Sequence, residues 1–161
     1  MSLERMLDTP IESLPYVDEH ATTVVATSDA VWEALIAVST GSTSGPMSSR
    51  VAKALGCVPQ EASGEAGEIG STVPGFMVTR SVRPAVLALM GEHRFSCYAL
   101  IFTATDTPTG LVELRATTRA KFPGRAGRMY RALVIGTRGH VFATRSLLRA
   151  VRRRAEKTPE A

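Results

Sequence analysis

No apolar run in this 161-residue chain approaches the roughly 18 to 20 residues that a membrane-spanning helix needs. The first residues, MSLERMLDTPIESLPYVDEH, lack the basic start and apolar core of a signal peptide, so a cytoplasmic protein is expected. Cysteine is scarce. Cys57 and Cys97 stand in no metal-ligand spacing and read as two reduced, partly buried thiols. The three histidines, His20, His93 and His140, make neither an HxH nor an HExxH pair, and no Cys/His spacing resembles a zinc site. No metal and no cofactor are expected. Nor does any Ser/His/Asp or Cys/His constellation assemble, so the catalytic residues, if there are any, stay unknown at this stage.

Acidic residues are scarce at one end. Residues 1–118 carry seven Lys+Arg against thirteen Asp+Glu, whereas 119–161 carry twelve against two. A basic end on an acidic body implies an anionic partner or internal complementarity. Aromatic residues in the basic segment are few, Tyr130 and Phe142, which argues against stacking on nucleic-acid bases. Cations near a helix C-terminus also interact favourably with its dipole, which accounts for part of Arg152, Arg153, Arg154 and Lys157 without a partner.

What is present is an alternation of elements. LERMLD suggests a short helical arm, broken by Pro10 and Pro15. EHATTVVA (19–26) is rich in β-branched residues and reads as a strand. TSDAVWEALIAVS follows, with Thr27 or Ser28 as cap and Val31, Trp32, Leu35 and Ile36 on one face of a helix of about ten residues. GSTSGP (41–46) is a loop by composition, and MSSRVAKALG (47–56) reads as a second short helix. Residues 57–75 are Gly-rich and acidic, a lid or a loop with one short strand near Ile69 to Val73. FMVTRSV (76–82), AVLALMG (85–91), RFSCYALIFTAT (94–105) and LVELRATTRAKF (111–122) then read as strands. The last alternates strictly, with Val112, Leu114, Ala116, Thr118, Ala120 and Phe122 on one side, the mark of an antiparallel sheet covered on one face. From Arg125 to Lys157 complementary arginine and apolar stripes predict one helix of about 30 residues, kinked if anywhere at its glycines.

HATTVVATSDAVWEAL, GSTVPGFMV, GEHRFSCYALIF and KFPGRAGRMYRALVIGTRGHVFATRSLLRAVRRRAE together resemble the helix-grip (SRPBCC) superfamily, which includes START domains, the birch pollen allergen family and polyketide cyclases. The likeness covers roughly residues 18–155 and is nearest to bacterial members of the same length. It implies an α+β fold in which a curved antiparallel sheet grips a long C-terminal helix, with two short helices after the first strand and an apolar cavity between sheet and helix. The domain is bounded at 18–157, with an N-terminal arm at 1–17 and a tail at 158–161. The superfamily has no common catalytic motif, so the resemblance specifies a fold rather than an activity.

ALVIGTRGH (132–140) offers three readings. A phosphate loop needs GxxxxGK[ST], and no Lys follows Gly139; a dinucleotide fingerprint needs a third glycine. A KH-type GxxG loop joins two helices, but the stripes here continue in phase from Arg131 to Arg145. A helix is therefore expected, although each interior glycine costs about 1 kcal/mol against alanine. On such a helix Gly136 faces inward, making room for a ligand or for close packing, and His140 follows one turn on.

GEHR (91–94) reads as the entry of the long strand, so alternation sends Glu92, Arg94, Ser96, Tyr98, Leu100 and Phe102 to one face and His93 to the other. The bulkier Tyr98 row is assigned to the cavity. The expected wall is Trp32, Ile36, Phe76, Val78, Leu89, Tyr98, Leu100, Leu114, Phe122, Leu133, Gly136 and His140, with Arg94, Tyr98 and His140 supplying polarity. The expected function is binding of a lipophilic small molecule there. One alternative is a cyclase- or dehydratase-like enzyme using the same cavity; another is a cationic C-terminal helix that binds nucleic acid or an anionic membrane surface. A homodimer is compatible with each.

Overall fold

The structure is a computed structural model and describes residues 3–43, 53–54, 56–134, 136 and 138–157. A short helix, α1 (Leu3–Asp8), and a 3-10 turn (Ile11–Ser13) lead into β1 (Tyr16–Val24) and α2 (Ser28–Thr43). Five strands follow: β2 (Thr72–Val73), β3 (Phe76–Val82), β4 (Val86–His93), β5 (Ser96–Asp106) and β6 (Val112–Lys121). Two helices, α3 (Gly124–Val134) and α4 (Gly139–Ala155), complete the described chain. Among the described residues the strands form one antiparallel sheet in the order β1-β6-β5-β4-β3-β2. No helix among them is long and apolar enough to cross a membrane.

This is the α+β helix-grip arrangement that the sequence implies. Register irregularities between Tyr16 and Asp18, and between Val78 and Arg80, bend β1 and β3. On the concave face the helices meet Val24, Val31, Trp32, Leu35, Leu87, Phe102, Leu114 and Val151, all buried. Full burial of a side chain such as Phe102 stabilises by roughly 2–3 kcal/mol, so this layer holds the helices on the sheet. The Tyr98, Leu100, Phe102 row does face it.

The convex face is not uniformly wet. Met6, Ile11 and Leu14 from the segment before β1 cover Met77, Ala88, Met90 and Ala99. A second core explains why both rows of β5 are apolar and why β4 reads VLALM without alternation. Away from that cover β6 keeps its polar face, where Arg115 donates to Glu19 and to Glu113 Oε1 (2.6 Å for the latter) and Thr117 donates to Glu19 Oε2 (2.9 Å).

Thr27 caps α2, its Oγ1 accepting the Ala30 N–H at 3.2 Å. The helix outruns the ten residues expected, because 41–43 stay helical instead of opening a loop. The second helix expected at 47–56 falls largely outside the described residues; Lys53 and Ala54 are helical and Gly56 has φ +67°. The 57–75 segment is a tied-down loop carrying β2. Bridges join Val58 to Glu92 and Ser63 to Thr72, and Gly70 N–H donates to Val78 O (2.8 Å).

The C-terminal helix is interrupted where its glycines cluster. Gly136 N–H still donates to Ala132 O (3.0 Å), but Arg138 turns left-handed (φ 57°) and Gly139 begins α4. A non-glycine residue in that region costs on the order of 1–2 kcal/mol. Here it competes with the similar penalty of carrying two glycines inside a helix. One expected helix of about 30 residues is therefore two.

Candidate functional site

Between the sheet and these two helices lies a cavity of about 360 Å³. Its sheet side is Phe76 from β3, His93 from β4, Ser96, Tyr98 and Leu100 from β5, and Thr118 and Ala120 from β6. Phe122 and Tyr130 close one end, and His140, Ala143, Thr144 and Leu147 of α4 form the opposite wall. Cys57 reaches it from the loop before β2.

One end is aromatic. The Tyr130 ring meets His93 edge-on at 4.7 Å and stacks on Phe95 at 5.5 Å, while Tyr98 meets Phe76 edge-on at 5.2 Å. Gly127 makes this possible: a Cβ there would stand 2.8 Å from the Phe122 carbonyl carbon and 3.0 Å from Phe95 O. Its absence lets α3 lie on the strand ends and carry Tyr130 inward. The Tyr98 hydroxyl donates to Gly75 O at 2.8 Å, and burial pushes it far above its ordinary value. Burial likewise raises the Cys57 thiol, which stays protonated at neutral pH. His93 Nδ1 accepts the Phe95 N–H at 3.1 Å, and burial lowers its pKa against the opposing charge of Glu92. The ring is thus neutral at pH 7, with its proton on Nε2.

The other end is polar. His140 Nε2 donates to Asp18 Oδ2 at 2.6 Å, and His20 Nε2 donates to the same oxygen at 3.1 Å. Arg145 Nε in turn reaches His20 Nδ1 at 3.5 Å. Asp18 Oδ1 and the Thr118 hydroxyl are buried and make no hydrogen bond of normal length among the described residues, yet the hydroxyl stands close enough to favour the carboxylate. Burial by itself would raise Asp18. The His140 hydrogen bond, the nearby Thr118 hydroxyl, the His140 charge and the His20 hydrogen bond outweigh it, and the carboxyl titrates below its ordinary value.

A depressed carboxyl contributes stability above its unfolded pKa and loses it as pH falls through the folded one. Asp18→Asn is therefore expected to destabilise the protein by roughly 2 kcal/mol at neutral pH. Urea unfolding at pH 7 and at steps below about pH 4 should show the gap begin to narrow there and close as pH falls through the depressed folded-state value, where the wild type also loses this contribution. An unchanged midpoint at pH 7 would remove Asp18 from this account.

Of the wall expected from the sequence, the structure brings Phe76, Tyr98, Leu100, Phe122 and His140 together. Ile36, Val78 and Leu89 line a separate pocket of about 110 Å³ under α2, which Phe76 also borders. Trp32 and Leu114 are buried in the main core. Three placements are corrected. Leu133 is 63% exposed and Gly136 is exposed, because the helix interruption turns their faces away from the sheet. Arg94 is exposed in a turn, its guanidinium 5.7 Å from the Phe95 ring centroid, beside an open groove.

Alternation failed at GEHR because β4 ends at His93 and β5 begins only at Ser96. His93 therefore belongs to the preceding strand and faces the cavity, opposite to its expected side. Asp18 and Thr118 also went unassigned. The one available signal was Thr118, on the dry side of β6; nothing local to Asp18 announced that α4 would return beside it.

No protein-family model matches the chain, and no curated protein matches it in sequence. Solved structures do share its architecture. Truncated norcoclaurine synthase from Thalictrum flavum is 14% identical, with a TM-score of 0.54 over 91% of this chain and 99% of that one. Protein Mll3558 from Rhizobium loti is 16% identical, with a TM-score of 0.51 over 88% and 99%. Protein MLL2253 from Mesorhizobium loti is 12% identical, with a TM-score of 0.51 over 89% and 100%. At these identities the likeness is one of fold, and the fold is the helix grip.

Proposed function

We propose that this protein binds a lipophilic small molecule in the cavity between the sheet and its two C-terminal helices. The supporting observation is the cavity itself: about 360 Å³, walled mainly by aromatic and aliphatic side chains, with a few polar groups at its ends. Ligand sites typically enclose roughly 300–1,000 Å³ with that composition, the polar groups setting orientation. Here the neutral His93 offers an N–H donor at the aromatic end, and the Thr118 hydroxyl offers a polar group at the other. Native mass spectrometry of freshly purified protein tests this. A stoichiometric small-molecule adduct, released on denaturation, is expected; an apo mass that stays apo after exposure to a panel of lipophilic compounds counts against it.

A second reading rests on the Asp18–His140 pair. A carboxylate held against an imidazole on a cavity wall is an arrangement used to orient a general acid or base, which fits a cyclase- or dehydratase-like reaction. A synthase on the same fold does not transfer its activity to this chain. A bound compound recovered chemically altered from the wild type but unaltered from His140→Gln favours catalysis. Recovery unaltered from both favours binding alone.

A further inference from the structure

We propose that the outer side of α3, together with the exposed Phe142 near the start of α4, docks on a lipid surface bearing anionic headgroups. Met129 and Leu133 stand one helical turn apart and are 77% and 63% exposed, and Phe142 is 70% exposed. Single exposed apolar side chains are ordinary. Three between residues 129 and 142, on two consecutive helices, are not. Arg125, Arg128 and Arg131 occupy the same three turns and are all exposed, and from 124 to 155 the chain holds nine arginines and no acidic residue.

The combination selects the occupant. Nucleic acid would engage the arginines and leave Met129, Leu133 and Phe142 in water. An apolar groove on a protein would take those three and draw nothing from the arginines beside Met129 and Leu133. A bilayer interface provides phosphates at the depth of the guanidinium groups and hydrocarbon a few ångströms beneath, with the arginine stems lying along the boundary. The helix is anchored for this from its inner side, where Gly127 is buried on the strand ends and Tyr130 lies against the cavity. The docking face is therefore at α3, away from the arginine-rich end of α4, where Arg152 already pairs with Glu156 (3.0 Å). The proposal stands whether or not the cavity holds a ligand.

Co-sedimentation of the full chain with vesicles tests it, using phosphatidylcholine alone and a phosphatidylcholine–phosphatidylglycerol mixture. Each arginine near an anionic surface is worth roughly fivefold in affinity, so the mixed vesicles should bind at least about tenfold more tightly, and less so as salt rises. Met129→Ser combined with Leu133→Ser should lower binding to mixed vesicles roughly tenfold with the melting temperature unchanged, as both side chains are already exposed. Four results would overturn the proposal: equal binding to neutral and anionic vesicles, full binding by the double serine variant, retention on duplex DNA with none on vesicles, or a protein dimer that this variant dissociates while vesicles take up nothing.

Discussion

Gly91→Ala is expected to destabilise the protein by about 3 kcal/mol or more, a large share of the roughly 5–15 kcal/mol typical of a domain. Glycine inside a strand ordinarily weakens it, so alanine would look like an improvement from sequence alone. In the fold, Gly91 sits directly opposite Tyr98 in the β4–β5 ladder. A Cβ at Gly91 would lie 2.0 Å from Gly75 O and 2.7–2.8 Å from the Tyr98 ring. Neither neighbour can yield cheaply. Gly75 O is backbone, and it accepts the Tyr98 hydroxyl. The substitution must therefore shift a strand or break that hydrogen bond, leaving a buried phenol unsatisfied. Urea unfolding with a fixed m-value measures the cost. A change within about 0.5 kcal/mol, the scatter of ordinary surface substitutions, would mean that the close approach at Gly91 is misjudged.

Ala120→Phe is expected to abolish uptake of the lipophilic ligand proposed above while leaving the fold intact. Ala120 is 6% exposed, projects from β6 on the cavity side and pairs with Tyr98 across the ladder. An apolar void of about 150 Å³ accommodates benzene, so a cavity of about 360 Å³ can admit a phenyl group without distorting its walls. Cavity filling of this kind is neutral or stabilising when no rotamer is strained, whereas a ligand spanning both ends loses its path. Native mass spectrometry should record at least about a tenfold fall in adduct, with a melting temperature no lower than the wild type's. Undiminished uptake in a folded variant would place the ligand elsewhere, and the small pocket beside Ile36, Val78 and Leu89 would be the next site to probe.

Both predictions depend on contacts between segments far apart in the chain, and that separates what was legible in the sequence from what was not. The order of elements was legible because period and capping are local. The strict alternation of 112–122 located β6, and Thr27 marked the start of α2. The greater bulk of the Tyr98, Leu100 and Phe102 row assigned it to the concave face, and the stripe of the last helix brought His140 to the cavity.

Other features were settled only by distant partners. The apolar side chains of α1 and the following turn gave no local sign that they would cover the convex face, yet Met6, Ile11 and Leu14 supply a second core there. The stripes running through Gly136 and Gly139 matched a single helix in phase, but a pattern in phase carries no information about the backbone cost of two glycines against one left-handed arginine. That balance turned Leu133 and Gly136 outward. His93 changed faces because a turn at residues 94–95 reset the alternation. Asp18 gained its role only when β1, at the edge of the sheet, met α4 across 122 residues of chain. The sequence by itself determined the order of strands and helices and the dry face of β6, since those depend on residues a few positions apart. The cavity's polar groups, its glycine clearances and the exposed apolar side of α3 were decided by the tertiary structure, since each depends on which distant surfaces meet and how closely.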